Sequence, residues 1–240
     1  MEKDQIILID KPAGISSFGV VAKVRGYMKA KCGSKVKVGH TGTLDPFATG
    51  LLILLTGKNT KKSGEFLKQD KVYEATLKLG EISDTGDPEG HIREYLIEDL
   101  SEVATENEGV GPTTTGASDL CPKLSTIDCV LSSFTGKIEQ TPPKFSAIKI
   151  GGQRAYKLAR KGADFEIPSR TVKIYSIEIL DYNYPELKIR CHVSSGTYIR
   201  PLAEDIGKEL GVGAYLTELR RIRIGEYDIS DALPLSHFSD

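Results

Sequence analysis

The chain has 240 residues, of which 39% are apolar and 27% charged, and its formal net charge is −1. A chain of that length can bury roughly 70–75% of its unfolded surface, and this composition excludes a disordered, collagenous or uniformly basic protein. Four cysteines (Cys32, Cys121, Cys129 and Cys191) show no CxxC spacing, so neither a zinc site nor a disulfide framework is indicated.

In chain order, Gln5–Ile9 reads as a strand, and its apolar run is far too short for a signal peptide or membrane span. A cytoplasmic protein with no membrane contact is therefore expected. Ser16 or Ser17 caps a helix whose apolar positions Phe18, Val21, Val24 and Met28 recur at helical spacing. A glycine-rich loop, GHTGTLDPFATG (39–50), runs into the apolar strand Leu51–Leu55. Val72–Leu79 reads as a strand with alternating character at Ala75, Leu77 and Leu79, and Tyr73 falls on the face opposite Val72. Glu98–Leu120 loses periodicity and is rich in Gly, Thr, Ser and acids, as expected of a flexible insertion. Val172–Leu180 and Leu187–Val193 pair naturally as strands. Ile199, Leu202, Ala203, Ile206 and Leu210 mark an amphipathic helix with Thr197 as its N-cap, and Ala214–Ile224 closes the core. Strands and helices interleave without a strict βαβ rhythm. The expected fold is α+β, a single domain over 1–240 around a mixed, largely antiparallel sheet with flanking helices.

Although the total charge is near zero, its distribution is uneven. Six basic and no acidic residues lie from Lys23 to Lys37, five basic residues from Lys58 to Lys71, and seven from Lys137 to Lys161. Glu81–Glu108 holds ten acids and one arginine, Arg93. Such segregation can build a local basic face for phosphates, although charge runs are commonly only solvated surface.

The loop at 39–50 carries the chemistry. Its glycines permit backbone angles other residues avoid, and Pro46 biases Asp45 away from the right-handed helical region. A carboxylate held on such a loop at the mouth of a sheet is a candidate nucleophile or general base. A lone Asp-Pro is more often an Asx turn, so the motif alone does not decide. Arg200 lies in the first turn of its helix, where a cation faces the positive end of the dipole at a cost of about 0.3–1 kcal/mol. A paired carboxylate would offset this, and Asp45 is the hypothesised partner, held ionised by the pair. The plainer alternative is a surface arginine lying over the helix stem.

The loop resembles the Asp-containing signature of the TruB family of pseudouridine synthases, which isomerise a uridine (position 55) in the T loop of tRNA. IDKPAGISSF (9–18), KVYEATLKLG (71–80), SDTGDPEG (83–90), PPKFSAIKIGGQRAYKLAR (142–160), SSGTYIRPLAEDIG (194–207) and the pair Leu219-Arg220 resemble further family segments, in the family's order and across nearly the whole chain. The resemblance implies the pseudouridine-synthase fold and tRNA (its T arm) as partner. It implies Asp45, Tyr73 and Arg200 as the catalytic set. By the same resemblance His40 fills the gap left by the flipped base, and Tyr198 and Leu219 wall the pocket. A thumb-like insertion over 142–165 would grip phosphates through Lys144, Lys149 and Arg154. Asp84 and Asp87, in the acidic turn, are expected to be structural. The chain resembles a short form without the C-terminal PUA domain of many relatives, and a monomer is expected.

Conversion of uridine to pseudouridine breaks an N–C glycosidic bond, rotates the base and forms a C–C bond at C5. No redox change occurs, so no cofactor and no metal are expected, and no GxGxxG, P-loop or metal-ligand pattern is present. The carboxylate could attack C6 of the base or C1′ of the ribose, or stabilise oxocarbenium character, and the sequence does not choose. Three other readings stand beside this one. They are a guide-RNA-dependent, dyskerin-like synthase, a tRNA-folding chaperone for which modification is secondary, and an Asp/His hydrolase built on His40 and Asp45.

Overall fold

The computed structural model describes residues 2–96, 121–146 and 148–239. The expected flexible insertion at 98–120 lies outside the described residues. The strands and α-helices in chain order are β1 (Ile6–Lys11), α1 (Ser17–Cys32), β2 (Val38–His40), β3 (Thr49–Thr56), α2 (Ser63–Leu67), β4 (Lys71–Leu79), β5 (Glu81–Ser83) and β6 (Ile92–Glu94). They continue with α3 (Leu124–Ser133), β7 (Gly136–Gln140), β8 (Lys149–Ile150), β9 (Gln153–Arg154), α4 (Ala155–Ala159) and β10 (Arg170–Asn183). The last are β11 (Glu186–Val193), α5 (Ile199–Glu209), β12 (Ala214–Ile224), β13 (Tyr227–Asp228) and β14 (Leu233–Pro234). Hydrogen-bonded strand order in the main sheet is β14-β1-β3-β12-β4-β11-β10-β7, with β13 on β12 and β2 on β3. β1–β14 and β3–β12 are parallel, while β1–β3, β2–β3 and β7–β10 are antiparallel. This is the mixed α+β sheet expected from the sequence.

The chain divides into two compact units: residues 1–74, 191–197 and 218–240, and residues 75–190 with 198–217. Strands β4, β11 and β12 each contribute residues to both.

In the first unit, α1 packs Val20, Val21, Val24 and Met28 against Ile7, Ile9, Leu52 and Leu54. Ser16 caps α1, its hydroxyl accepting from the Gly19 amide at 3.0 Å, and Gly33 ends it in the left-handed region. Phe18 departs from expectation, being 66% exposed. The buried stripe is Ser17, Val21, Val24 and Met28, and Phe18 stands one residue, about 100°, around the helix from it. Ser17 takes the buried place because its hydroxyl bonds both backbone groups of Leu44, donating at 2.9 Å and accepting at 2.8 Å. The helix is thereby tied to the Asp45 loop.

β4 is buried nearly throughout rather than on alternate residues, since Val72, Tyr73, Ala75, Thr76, Leu77 and Leu79 are all covered. A central strand covered on both faces loses the period of two. In the second unit, β7 and β10 pair antiparallel, and the segment between them carries the β8–β9 hairpin and α4. α5 begins at Ile199 with Tyr198 as its cap residue, one later than expected. The Thr197 hydroxyl donates to the Ser194 carbonyl at 3.0 Å instead of capping the helix.

Candidate active site

His40, Asp45, Tyr73 and Leu219 belong to the first unit, and Lys144, Lys149, Arg154, Tyr198 and Arg200 to the second.

In the first unit, β2 ends at His40, opposite Leu54 in register, and the chain crosses residues 41–48 to enter β3 at Thr49. The crossing is short, polar and pinned at nearly every step. The Thr41 amide donates to the Ile53 carbonyl at 3.1 Å, the Gly42 amide to His40 Nδ1 at 3.4 Å, and the Ala48 amide to the Asp45 carbonyl at 3.2 Å. Leu44 sits on Ser17 as described. The Pro46 carbonyl accepts from the Gly14 amide at 2.9 Å and from Lys11 Nζ at 3.2 Å.

Two buried cations frame this loop. Lys11 is fully buried, and its ammonium also donates to the carbonyls of Pro12 at 2.9 Å and Ile15 at 2.8 Å. Arg221, 1% exposed, donates through Nε to the Leu51 carbonyl at 2.8 Å and through Nη2 to the Gly42 carbonyl at 3.2 Å. Buried charges are retained only where carbonyls or counterions replace water, and here the replacing carbonyls include Gly42 and Pro46, on either side of Asp45. Gly50 closes the loop at φ +99°. A Cβ there would lie 2.3 Å from the Arg221 carbonyl oxygen, so only glycine permits β3 to meet β12 at this point. β3 pairs with β12 at Thr49–Arg220 and Gly50–Arg221, and the Thr49 hydroxyl donates to the Leu219 carbonyl at 3.5 Å. The exit of the Asp45 loop and Leu219 are thus brought together. Arg220 forms a two-point pair with Asp10 at 3.0 and 2.8 Å. Tyr73 and Leu219 are both buried. Burial pushes the Cys191 thiol up to about 12, only partly opposed by a hydrogen bond from the Tyr73 backbone, as expected of an inert packing residue.

In the second unit, Arg200 is almost fully buried in the first turn of α5. Its Nη1 donates to Asp87 Oδ2 at 3.0 Å and to the Thr85 carbonyl at 2.9 Å, and its Nη2 to the Phe145 carbonyl at 2.9 Å. Asp87, itself buried, also accepts from the Thr85 hydroxyl at 2.7 Å and from the Glu89 amide at 3.0 Å. The acidic turn, expected to be structural, supplies a buried counterion to Arg200. The surface-arginine alternative for Arg200 is excluded by its burial. Tyr198 is half-buried, with the Arg170 guanidinium 5.0 Å from its ring centroid. Lys144, Lys149 and Arg154 are exposed in the segment between β7 and β10. Among the described residues there is no cluster of three or more metal-ligating side chains and no helix long and apolar enough to cross a membrane.

Residues 27–124 and 103–199 match the TruB family pseudouridylate synthase N-terminal domain, and residues 200–240 match the tRNA pseudouridylate synthase B C-terminal domain. A tRNA pseudouridine synthase B of Phocaeicola vulgatus is 42% identical over 245 residues, covering 100% of this chain and 93% of its own. The Aquifex aeolicus protein of the same name is 43% identical, covering 98% and 73%. Among solved structures, a chain in the crystal structure of a Cbf5-Nop10-Gar1 complex superposes with a TM-score of 0.64 at 29% identity, covering 97% of this chain and 52% of that one. Another, in a structure of an H/ACA RNP bound to a substrate RNA containing 2′-deoxyuridine, gives 0.62 at 27%. The chain spans about half the length of these two structures. Its fold is that of the pseudouridine synthases, RNA-modifying isomerases. Within that class, the chain belongs to the TruB family.

Proposed function

We propose that this protein isomerises uridine to pseudouridine in the T loop of tRNA, acting as a cytoplasmic monomer with no metal or cofactor. The observation that carries the reading is the loop of Asp45, anchored by two buried cations and two strands in a chain of this family. Asp45 is the reacting carboxylate: it engages C6 of the base or C1′ of the ribose while the N1–C1′ bond breaks. The uracil turns within the pocket, C5 bonds to C1′, Asp45 is released, the C5 proton leaves and N1 takes up a proton. Arg200, held by Asp87 and the carbonyls of Thr85 and Phe145, is proposed as a further member of the catalytic set. Tyr73 offers a ring for stacking and a hydroxyl for the C5 proton. Extruding the uridine costs a few kcal/mol of unstacking, and His40 offsets it by filling the vacated space.

Phosphate contact is proposed for the 142–165 insertion through Lys144, Lys149 and Arg154, and for the exposed basic face of α1 and its following loop, Lys23, Arg25, Lys29, Lys31, Lys35 and Lys37. The test is to treat an unmodified tRNA transcript with the protein, form carbodiimide adducts and map them by primer extension. One new stop at the T-loop uridine is expected. Stops elsewhere, or none without an added guide RNA, would contradict the T-loop assignment and favour a guide-dependent enzyme.

A further inference from the structure

The segment 141–169 leaves the sheet at the end of β7 and returns at the start of β10, and the residues bracketing it, Gln140 and Arg170, are cross-strand partners. Its root is closed by a 2.7 Å hydrogen bond between the hydroxyls of Thr141 and Ser169. Gln140 is 1% exposed, and its whole hydrogen-bonding capacity toward α5 falls on one residue. Its Oε1 accepts from the Tyr198 amide at 2.8 Å, and its Nε2 donates to the Tyr198 carbonyl at 2.9 Å. A side-chain amide thus pairs with both backbone groups of the residue that opens α5, in the place where no side-chain cap is present. Arg170, across the strand pair, lies over the ring of that same tyrosine. Two residues further on, Arg200 donates to the carbonyl of Phe145, which belongs to the bracketed segment.

We propose that Gln140 is a positioning residue for the isomerisation. By fixing the backbone of Tyr198, it sets the Tyr198 ring and the first turn of α5 that carries Arg200. Because Gln140 stands at the root of the basic insertion, seating of RNA phosphates on that insertion is transmitted to these two side chains. A buried glutamine that served only to fill space would not need both of its polar atoms on one backbone. A buried glutamine that contacted RNA would not be 1% exposed. Gln140 acts through Tyr198 and Arg200 and does not touch the base.

This inference rests on the reading of the protein as a tRNA uridine isomerase, and its test separates the two. Wild type, Gln140→Met and Gln140→Glu are compared in single-turnover tritium release from C5-tritiated tRNA at saturating enzyme, with tRNA Kd and thermal midpoint measured alongside. Gln140→Met keeps length but removes both bonds, so the rate constant should fall by about 10²-fold, the scale of an ångström misplacement, while Kd changes less than about twofold. Gln140→Glu, when ionised, keeps the acceptor for the Tyr198 amide but sets a negative oxygen against its carbonyl. When protonated, it regains a donor there. Its rate relative to wild type should therefore rise as pH is lowered from 8 to 5. A wild-type rate for Gln140→Met overturns the proposal. So does joint loss of rate, binding and thermal midpoint with no acid recovery in Gln140→Glu, which would mark Gln140 as purely structural. Absence of release by wild type would instead refute the underlying functional reading.

Discussion

Replacing Lys11 by Met removes the ammonium that donates to the carbonyls of Pro12, Ile15 and Pro46 while leaving a side chain of similar length in a fully buried site. Bonds to a charged donor contribute about 1.5–3 kcal/mol each, and part of this is offset because the ammonium no longer has to be buried. The Pro46 carbonyl retains the Gly14 amide as a donor at 2.9 Å, which limits the loss there. The net cost expected is about 3–5 kcal/mol, which for a chain of this length lowers Tm by roughly 6–20 °C. The second effect falls on chemistry. Pro46 follows Asp45 directly, and without the Lys11 anchor the carboxylate wanders by a fraction of an ångström to an ångström, costing up to about 10²-fold in rate. Thermal melts by circular dichroism give the first number, and single-turnover tritium release below the lowered Tm gives the second. A Lys11→Met protein that melts within about 2 °C of wild type and turns over at the wild-type rate would refute the claim that this ammonium holds the loop.

Gly50→Ala should cost at least about 1–3 kcal/mol from the backbone angle alone, with more from the 2.3 Å approach to the Arg221 carbonyl, and an unchanged urea midpoint would contradict this. Asp87→Ala leaves the buried Arg200 without this carboxylate and should destabilise by about 3–5 kcal/mol in denaturant unfolding, whereas Asp87→Asn should lose less; equal stability of all three proteins would sink the ion-pair argument. Lys71 predicts a pH effect. Burial first, and the Arg221 charge second, bring its ammonium down from 10.5 to about 8. The folded state therefore holds this proton less tightly than the unfolded state. The penalty for the buried charge is constant below about 8 and is relieved as pH rises from about 8 to 10.5. Wild type should gain up to about 3 kcal/mol over that window relative to Lys71→Met, and a stability difference independent of pH would disprove it.

Much of the fold was legible because hydrophobic period and turn residues agree with it. The strands expected at Leu51–Leu55, Val72–Leu79, Val172–Leu180 and Leu187–Val193 lie within β3, β4, β10 and β11, the segment Ala214–Ile224 that closes the core is β12, and the amphipathic pattern from Ile199 marks α5. α3 and β7 were not read, since α3 has no side-chain cap at Lys123 and β7 alternates over only five residues. At the site, the Asp45 loop was legible as a motif, but its anchors were not. Lys11 and Arg221 stand out in no motif, although each continues an alternating buried series: Ile7, Ile9, Lys11 on β1, and Leu219, Arg221 on β12. A basic residue at the in-facing step of a strand is the signal that would have found them. Asp87 was readable only as a turn residue, because its role depends on an arginine 113 positions away.

The central claim, that Asp45 performs uridine isomerisation, is tested most directly with an unmodified tRNA transcript tritiated at uracil C5. Wild type should release tritium, and Asp45→Asn should bind the same RNA with similar affinity yet release none. Release by Asp45→Asn at the wild-type rate, or by neither protein despite tight binding, would contradict the account.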